Sequence, residues 1–147
     1  MNETCLLCAE VTGKIELPGG LLAVSNSVVA FHLPEQSIDG RVLRGHSMVS
    51  PIRHTPNFGT LTDVEAAKVG QTVTAVSRTL TRLGAESVYV AAIGHSHPHL
   101  HVHVIPRWPG VDASVEWFAV RDEPGPHRVD RLGAESFAAE MKRLMLA

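Results

Sequence analysis

No stretch of the chain is apolar for long enough to span a bilayer, which sets membrane-embedded functions aside. Its opening residues, Met1-Asn2-Glu3-Thr4, lack the basic and apolar regions of a secretory signal. The expectation is a cytoplasmic protein without a membrane partner. There is no basic stripe either, and the formal net charge is −2. A nucleic-acid polymer is therefore not an expected partner. Internal repeats and low-complexity linkers are also missing. At 147 residues, 44% hydrophobic and 19% charged, the chain suits one globular domain over 1–147.

Cysteine is nearly absent. Cys5 and Cys8 are the only two, spaced C-x-x-C. In a cytosolic chain this spacing signals metal or redox chemistry more often than a structural disulfide. A thioredoxin-like pair would sit between a strand and a helix, and this one stands at the start of the chain. Metal is preferred, with two further ligands to be found elsewhere.

Histidine is what the chain has in excess. Five of its nine histidines occupy alternate positions from His95 to His103, in Gly94-His95-Ser96-His97-Pro98-His99-Leu100-His101-Val102-His103-Val104-Ile105-Pro106-Arg107. A strand sends alternate residues to one face. His99, His101 and His103 would share a face, roughly 6–7 Å apart, and Leu100, Val102 and Val104 would enter a core. Pro98, unable to donate to a ladder, marks the expected strand start, with His95 and His97 in the preceding loop. Three imidazoles on one face of an apolar strand point to metal, phosphate or substrate.

Other elements follow from local pattern. Lys14–Leu17, a Pro18-Gly19-Gly20 turn and Leu21–Val24 read as a hairpin or as a strand with a turn. Val28–Leu33 is a strand, Glu35–Arg44 a loop, and Ser47–Ser50 a short strand entered through Gly45-His46. Thr62-Asp63-Val64-Glu65 fits a capping box. Val69, Val73, Val76, Leu80 and Leu83 make one apolar stripe ended by Gly84. Val88–Ile93 is a strand, Trp108–Arg131 a Pro- and Gly-rich connection, and Ala134–Leu146 a second helix. The class is α+β, with a mainly antiparallel sheet of about five strands.

The run His99-Leu100-His101-Val102-His103-Val104-Ile105 resembles the signature of the histidine-triad (HIT) superfamily. Gly45-His46-Ser47-Met48-Val49-Ser50-Pro51-Ile52-Arg53-His54 resembles that family's Gly-His, apolar strand and Pro-x-x-His segment. Cys5-Leu6-Leu7-Cys8 resembles the C-x-x-C opening of many bacterial members. The resemblance implies a HIT-like fold, a homodimer, and nucleotide hydrolysis or nucleotidyl transfer at the α-phosphate. His101 would be the nucleophile that forms a phosphohistidine, oriented by the His99 carbonyl. His103, Ser96 and His46 would contact phosphate, with His95 in the substrate loop. Cys5, Cys8, His54 and His99 would hold a structural zinc.

The chain departs from the family pattern in three places. Gly94-His95-Ser96 stands where Gly-Gln-Ser is usual, Tyr89-Val90-Ala91-Ala92 where an asparagine is often found, and no ribose-binding acid directly follows Phe31, with Glu35 and Asp39 as substitutes. Two other readings stay open. One is a zinc-stabilised nucleotide-binding or regulatory module with little catalysis. The other is a metallohydrolase with His99, His101 and His103 on one metal. Trp108, Trp117 and Phe118 are candidates for a base-binding wall, a dimer contact or ordinary packing.

Overall fold

The computed structural model describes residues 3–147, so the reading at Met1 and Asn2 lies outside the described residues. Three helices, α1 (Leu6–Val11), α2 (Asp63–Arg82) and α3 (Arg131–Leu146), accompany seven strands. The strands are β1 (Leu21–Val24), β2 (Val28–His32), β3 (Val42–Leu43), β4 (Ser47–Pro51), β5 (Ser87–Ala91), β6 (Val102–Arg107) and β7 (Arg128–Val129). Five form one antiparallel sheet in the order β1-β2-β4-β6-β5, and β3 pairs with β7 in a separate ribbon. The α+β class and its five-stranded sheet are as expected. No helix among the described residues is long and apolar enough to cross a membrane.

The sheet is buried on both faces. Alternation sends Val28 and Ala30 of β2 and Val102 and Val104 of β6 to α2 and α3, where Val69, Val76, Leu80, Phe137 and Met141 complete the main core. Val29 and Phe31 face the opposite side and pack on Leu7, Val11 and Leu17. His101 and His103 belong to that second face by the same alternation. The long helices thus build the scaffold, and α1 is left beside the histidines.

Helix α2 begins as its sequence dictates. Thr62 Oγ1 accepts from the Glu65 amide at 3.2 Å, and Glu65 Oε2 accepts from the Thr62 amide at 2.9 Å. Leu83 caps its far end, followed by Gly84 at φ +102°. Of the expected stripe, Val69, Val76 and Leu80 are buried, while Val73 and Leu83 pack at its margin.

Several boundaries differ from expectation. Lys14–Leu17 is not a strand; Leu17 is buried under Val29 and Phe31, so its apolar character serves packing and not a ladder. Helix α1 had no expectation attached, and the ribbon strands β3 and β7 form inside the expected loop Glu35–Arg44 and the connection Trp108–Arg131, because the two short segments pair with each other. Strand β5 ends at Ala91, two residues early, and α3 starts at Arg131 behind its Asp130 cap, earlier than Ala134. Strand β6 begins at Val102 and not beside Pro98. The reason is local: the His99 amide bonds the His97 carbonyl at 2.8 Å and the Leu100 amide bonds the Thr55 carbonyl at 2.7 Å, so neither joins the β4 ladder.

One glycine joins the scaffold to the histidines. Gly45 has φ +84°, and a Cβ there would lie 2.8 Å from Leu80 Cδ2, 3.0 Å from Phe137 Cε1 and 3.2 Å from Pro106 Cγ. Its amide also donates to His32 Nε2 at 2.8 Å. Gly45→Ala is expected to destabilise the fold by about 2–3 kcal/mol through combined strain and overpacking. Denaturant unfolding checks this; an unchanged midpoint would contradict the tight fit.

Candidate functional site

The C-x-x-C pair sits on the first turn of α1. Cys5 is the N-cap and its Sγ accepts from the Cys8 amide at 3.4 Å, which turns both thiols to one side. His54 follows β4 by three residues, and His99 leads into β6. Cys5 Sγ lies 3.5 Å from His99 Nδ1, Cys8 Sγ lies 3.4 Å from the same atom, and Cys8 Sγ lies 3.3 Å from His54 Nδ1. All four ligating atoms fall within 4.8 Å of one another. A tetrahedral zinc with Zn–S near 2.3 Å and Zn–N near 2.0–2.1 Å places sulfur and nitrogen about 3.5 Å apart. The donor set fits that ion in both chemistry and spacing. His99 Nε2 donates to the Pro51 carbonyl at 2.8 Å, leaving Nδ1 as the lone-pair nitrogen toward the thiols. Cys5, Cys8, His54 and His99 can therefore bind a metal.

The loop bearing His54 is clamped from its neighbour. Arg53 Nε and Nη2 reach the two Glu65 oxygens at 2.9 and 2.7 Å, and Nη2 also donates to the Thr60 carbonyl at 2.8 Å. The Arg53 guanidinium, aided by the Thr62 amide, pulls the Glu65 carboxyl down from the ordinary 4.5 to about 2. A depressed carboxyl contributes stability that is complete above the unfolded value and lost as pH falls through the folded one. The stability difference between wild type and Glu65→Gln should then shrink as pH falls from about 4.5 toward 2. Melting curves from pH 7 to 3 test this, and a constant difference would contradict the assignment.

His101 stands one strand position beyond the metal cluster. Its Nδ1 donates to the His99 carbonyl at 2.7 Å, so the proton is fixed there and Nε2 keeps its lone pair. His101 and His103 pack with ring centroids 5.2 Å apart and line one cavity of about 520 Å³. His95, Ser96 and His97, all exposed, line the same cavity.

His46 is placed differently. It is buried beneath His103, with Nε2 3.0 Å from His103 Nδ1, and borders an adjoining cavity of about 370 Å³. Burial lowers His103 to about 4, with the charges of His101 and Arg121 acting the same way. Burial, then His103, holds His46 well below its ordinary value. Both imidazoles are neutral near pH 7. If His46 Nε2 donates to His103 Nδ1, the His103 proton sits on Nε2, as a donor toward the cavity. His46 thus meets His103 directly and lines the adjoining cavity, not the one that His101 and His103 line.

The three triad imidazoles do not converge on one point. Both nitrogens of His99 are committed to Pro51 and the thiols, and among the described residues the one metal-competent cluster is the Cys5 group. This arrangement disfavours a shared metal on His99, His101 and His103. Of the tryptophans, Trp108 is core, with its indole donating to the Arg44 carbonyl at 2.9 Å, whereas Trp117 is exposed and packs on Tyr89. Phe118 lines the cavity beside Arg121. Glu35 and Asp39 are engaged by Arg131 and Arg128.

Two charged cavity residues were not foreseen, Glu10 and Arg121. Glu10 is buried, its Oε2 has no partner among the described residues, and burial raises it to about 7. It stands on α1, for which the sequence carried no recognised signal. Arg121 lies in the connection after Trp108, at the end of a short 3-10 turn over Ala119–Arg121 that carries no hydrophobic periodicity.

Comparison with known proteins adds the following. Residues 25–110 match the model of the HIT domain. An uncharacterised HIT-like protein of Methanocaldococcus jannaschii is 26% identical over 123 residues, covering 80% of this chain and 90% of that one. A zinc-bound histidine-triad protein of Mycobacterium smegmatis shares the fold at TM-score 0.70 and 19% identity, over 97% of this chain and 94% of that one. A Hit-like protein of Bartonella henselae, described as involved in cell-cycle regulation, superposes at TM-score 0.72 and 16% identity, over 97% of each chain.

Proposed function

The chain belongs to the HIT domain family, and on that premise we propose that it is a nucleotide hydrolase or nucleotidyl transferase working at the α-phosphate through His101. The observation that carries this reading is the 2.7 Å bond from His101 Nδ1 to the His99 carbonyl. With Nδ1 committed to that carbonyl, Nε2 is the ring nitrogen left to act as nucleophile on the cavity.

His101 Nε2 attacks phosphorus and an N–P bond forms. The bond from phosphorus to the leaving group breaks, and its electron pair departs with that group, which takes up a proton where its basicity requires one. Water then attacks the phosphohistidine, the N–P bond breaks, and the water proton passes to solvent. Another acceptor in place of water makes the reaction a transfer. His103 and Ser96 donate to the phosphate oxygens as charge develops there, and His46 holds His103 in the donating tautomer. His95 borders the substrate from the loop.

Zinc on Cys5, Cys8, His54 and His99 is structural in this reading. The four-ligand set leaves no open position for substrate, and the ion ties α1 to the backbone that orients His101. The zinc-bound mycobacterial relative supports it. Strand β5 is a sheet edge with Val90 half-exposed and Ile93 just beyond it, which favours a homodimer through that edge. A cytoplasmic location accompanies the reduced thiols the site needs.

Product analysis in ¹⁸O-labelled water tests the reaction. The label is expected in the nucleoside monophosphate and not in the leaving group. Label in the leaving group would place attack elsewhere, and binding without turnover would favour a regulatory module.

A further inference from the structure

We propose that Arg121 binds a phosphate of the leaving group, so that the preferred substrate is a phosphoanhydride and not a nucleotide joined to an amine. This rests on the α-phosphate reading above and names the substrate class for it. Arg121 lies beyond the residues 25–110 that match the family, in the connection between β6 and β7.

Arg121 borders both cavities. It lines one with His101 and His103 and the other with His46. Its guanidinium lies 3.8 Å from the centre of the Phe118 ring, and that ring packs edge-on to His103 at 6.4 Å. Stacking on an aromatic face fixes the plane of the cation. Its one hydrogen bond runs from Nε to the exposed Asp122 at 3.3 Å, and both terminal nitrogens lack a partner among the described residues. The charge also bears on His103 and His46, depressing both.

The segment is braced on both sides. Arg128 is 9% exposed; its Nη1 donates to the Arg121 carbonyl at 2.5 Å and its Nη2 to Asp39 at 2.5 Å. Arg107 holds the Val115 carbonyl at 2.9 Å and the Asp112 carbonyl as well. A chain this anchored presents Arg121 in one place instead of leaving it to wander on a surface loop. The same cavity is lined by two acids, Glu35, held by Arg131, and Glu10, whose carboxyl burial raises to about 7. A chain of phosphates is drawn to Arg121.

The chemistry distinguishes the two leaving groups. When a P–O anhydride bond breaks, the electron pair stays on the bridging oxygen and the departing phosphate gains negative charge. A guanidinium fork meets two of its oxygens at that moment. An amine leaving group gains no such charge, and as an ammonium it is repelled.

The test compares wild type, Arg121→Ala and Arg121→Lys on two probe types with adenosine and guanosine: the dinucleoside triphosphates and the nucleoside 5′-phosphoramidates. Arg121→Ala should lower kcat/KM for the triphosphates about 30- to 100-fold more than for the phosphoramidates. Arg121→Lys should recover part of that loss, since it keeps the charge without the fork. Equal losses within about 3-fold on both probe types would overturn the proposal. If neither probe is turned over, binding decides: triphosphate affinity should fall at least about 10-fold in Arg121→Ala with a weaker salt dependence, and no such fall overturns it. Failure of the underlying reading shows separately, as a His101→Ala protein that keeps the wild-type rate.

Discussion

Replacing His101 with alanine should abolish turnover while leaving the protein folded. The expected loss in kcat is at least about 10³-fold, the scale seen when a nucleophile is removed from a covalent mechanism. Stability should barely change. His101 makes one hydrogen bond, to the His99 carbonyl, and its other side faces a cavity, so truncation there empties no core. The released carbonyl can meet water entering from the cavity. The melting temperature should stay within about 2 °C, equivalent to about 0.5–1 kcal/mol for a chain of this length. A variant that melts like wild type and is inert separates chemistry from folding. Rate loss accompanied by a large drop in melting temperature would make His101 a structural residue.

The second large effect belongs to the metal cluster. Cys8→Ser should abolish stoichiometric zinc and lower stability by about 3 kcal/mol, or roughly 6–12 °C. Cys8 contacts both imidazoles, so its loss takes one donor from each thiol–imidazole pair it makes. Its loss frees α1, whose Leu7 and Val11 cover Val29 and Phe31. Thiolate and imidazole must both be deprotonated to bind, so zinc should also leave as pH falls. The neighbouring histidines give a contrast. His99→Ala should lower metal content and melting temperature together, with activity loss following from a displaced His101. His103→Ala should keep zinc and act mainly on kcat. Equal metal loss in the two variants would show one metal shared by His99, His101 and His103, and the metallohydrolase reading would replace this one. Metal analysis of the purified proteins and thermal melts supply both readouts.

What was legible in the sequence was what a local pattern encodes. The capping box at Thr62 and Glu65, the stripe along α2 and the β-branched run of β2 each sit within a few residues, and each formed near its expected place. The resemblance brought Cys5, Cys8, His54 and His99 together across 94 residues, and their atoms meet within hydrogen-bond distance. Strand-like character at Lys14–Leu17 misled, because one buried leucine under a sheet looks locally like a strand residue. Strands β3 and β7 are two residues each and carry no periodicity; they exist because Val42 and Leu43 meet Val129 and Arg128. Arg121 is set within its own segment, its carbonyl held by Arg128 and its guanidinium stacked on Phe118, contacts that no periodicity signals. The placement of His46 beneath His103 depends on the β2, β4 and β6 register, which no single segment reveals.

The central claim is that His101 is the covalent catalyst. Rapid mixing with a turned-over nucleotide, quenching in base to preserve an acid-labile N–P bond, and peptide mass mapping addresses it directly. The account predicts a nucleotidyl mass on the peptide containing His101, rising within one turnover, absent from His101→Ala and present in His103→Ala at lower yield. A turned-over substrate that leaves His101 unmodified at every time point, or an adduct on His95, His97 or His103 instead, would contradict it.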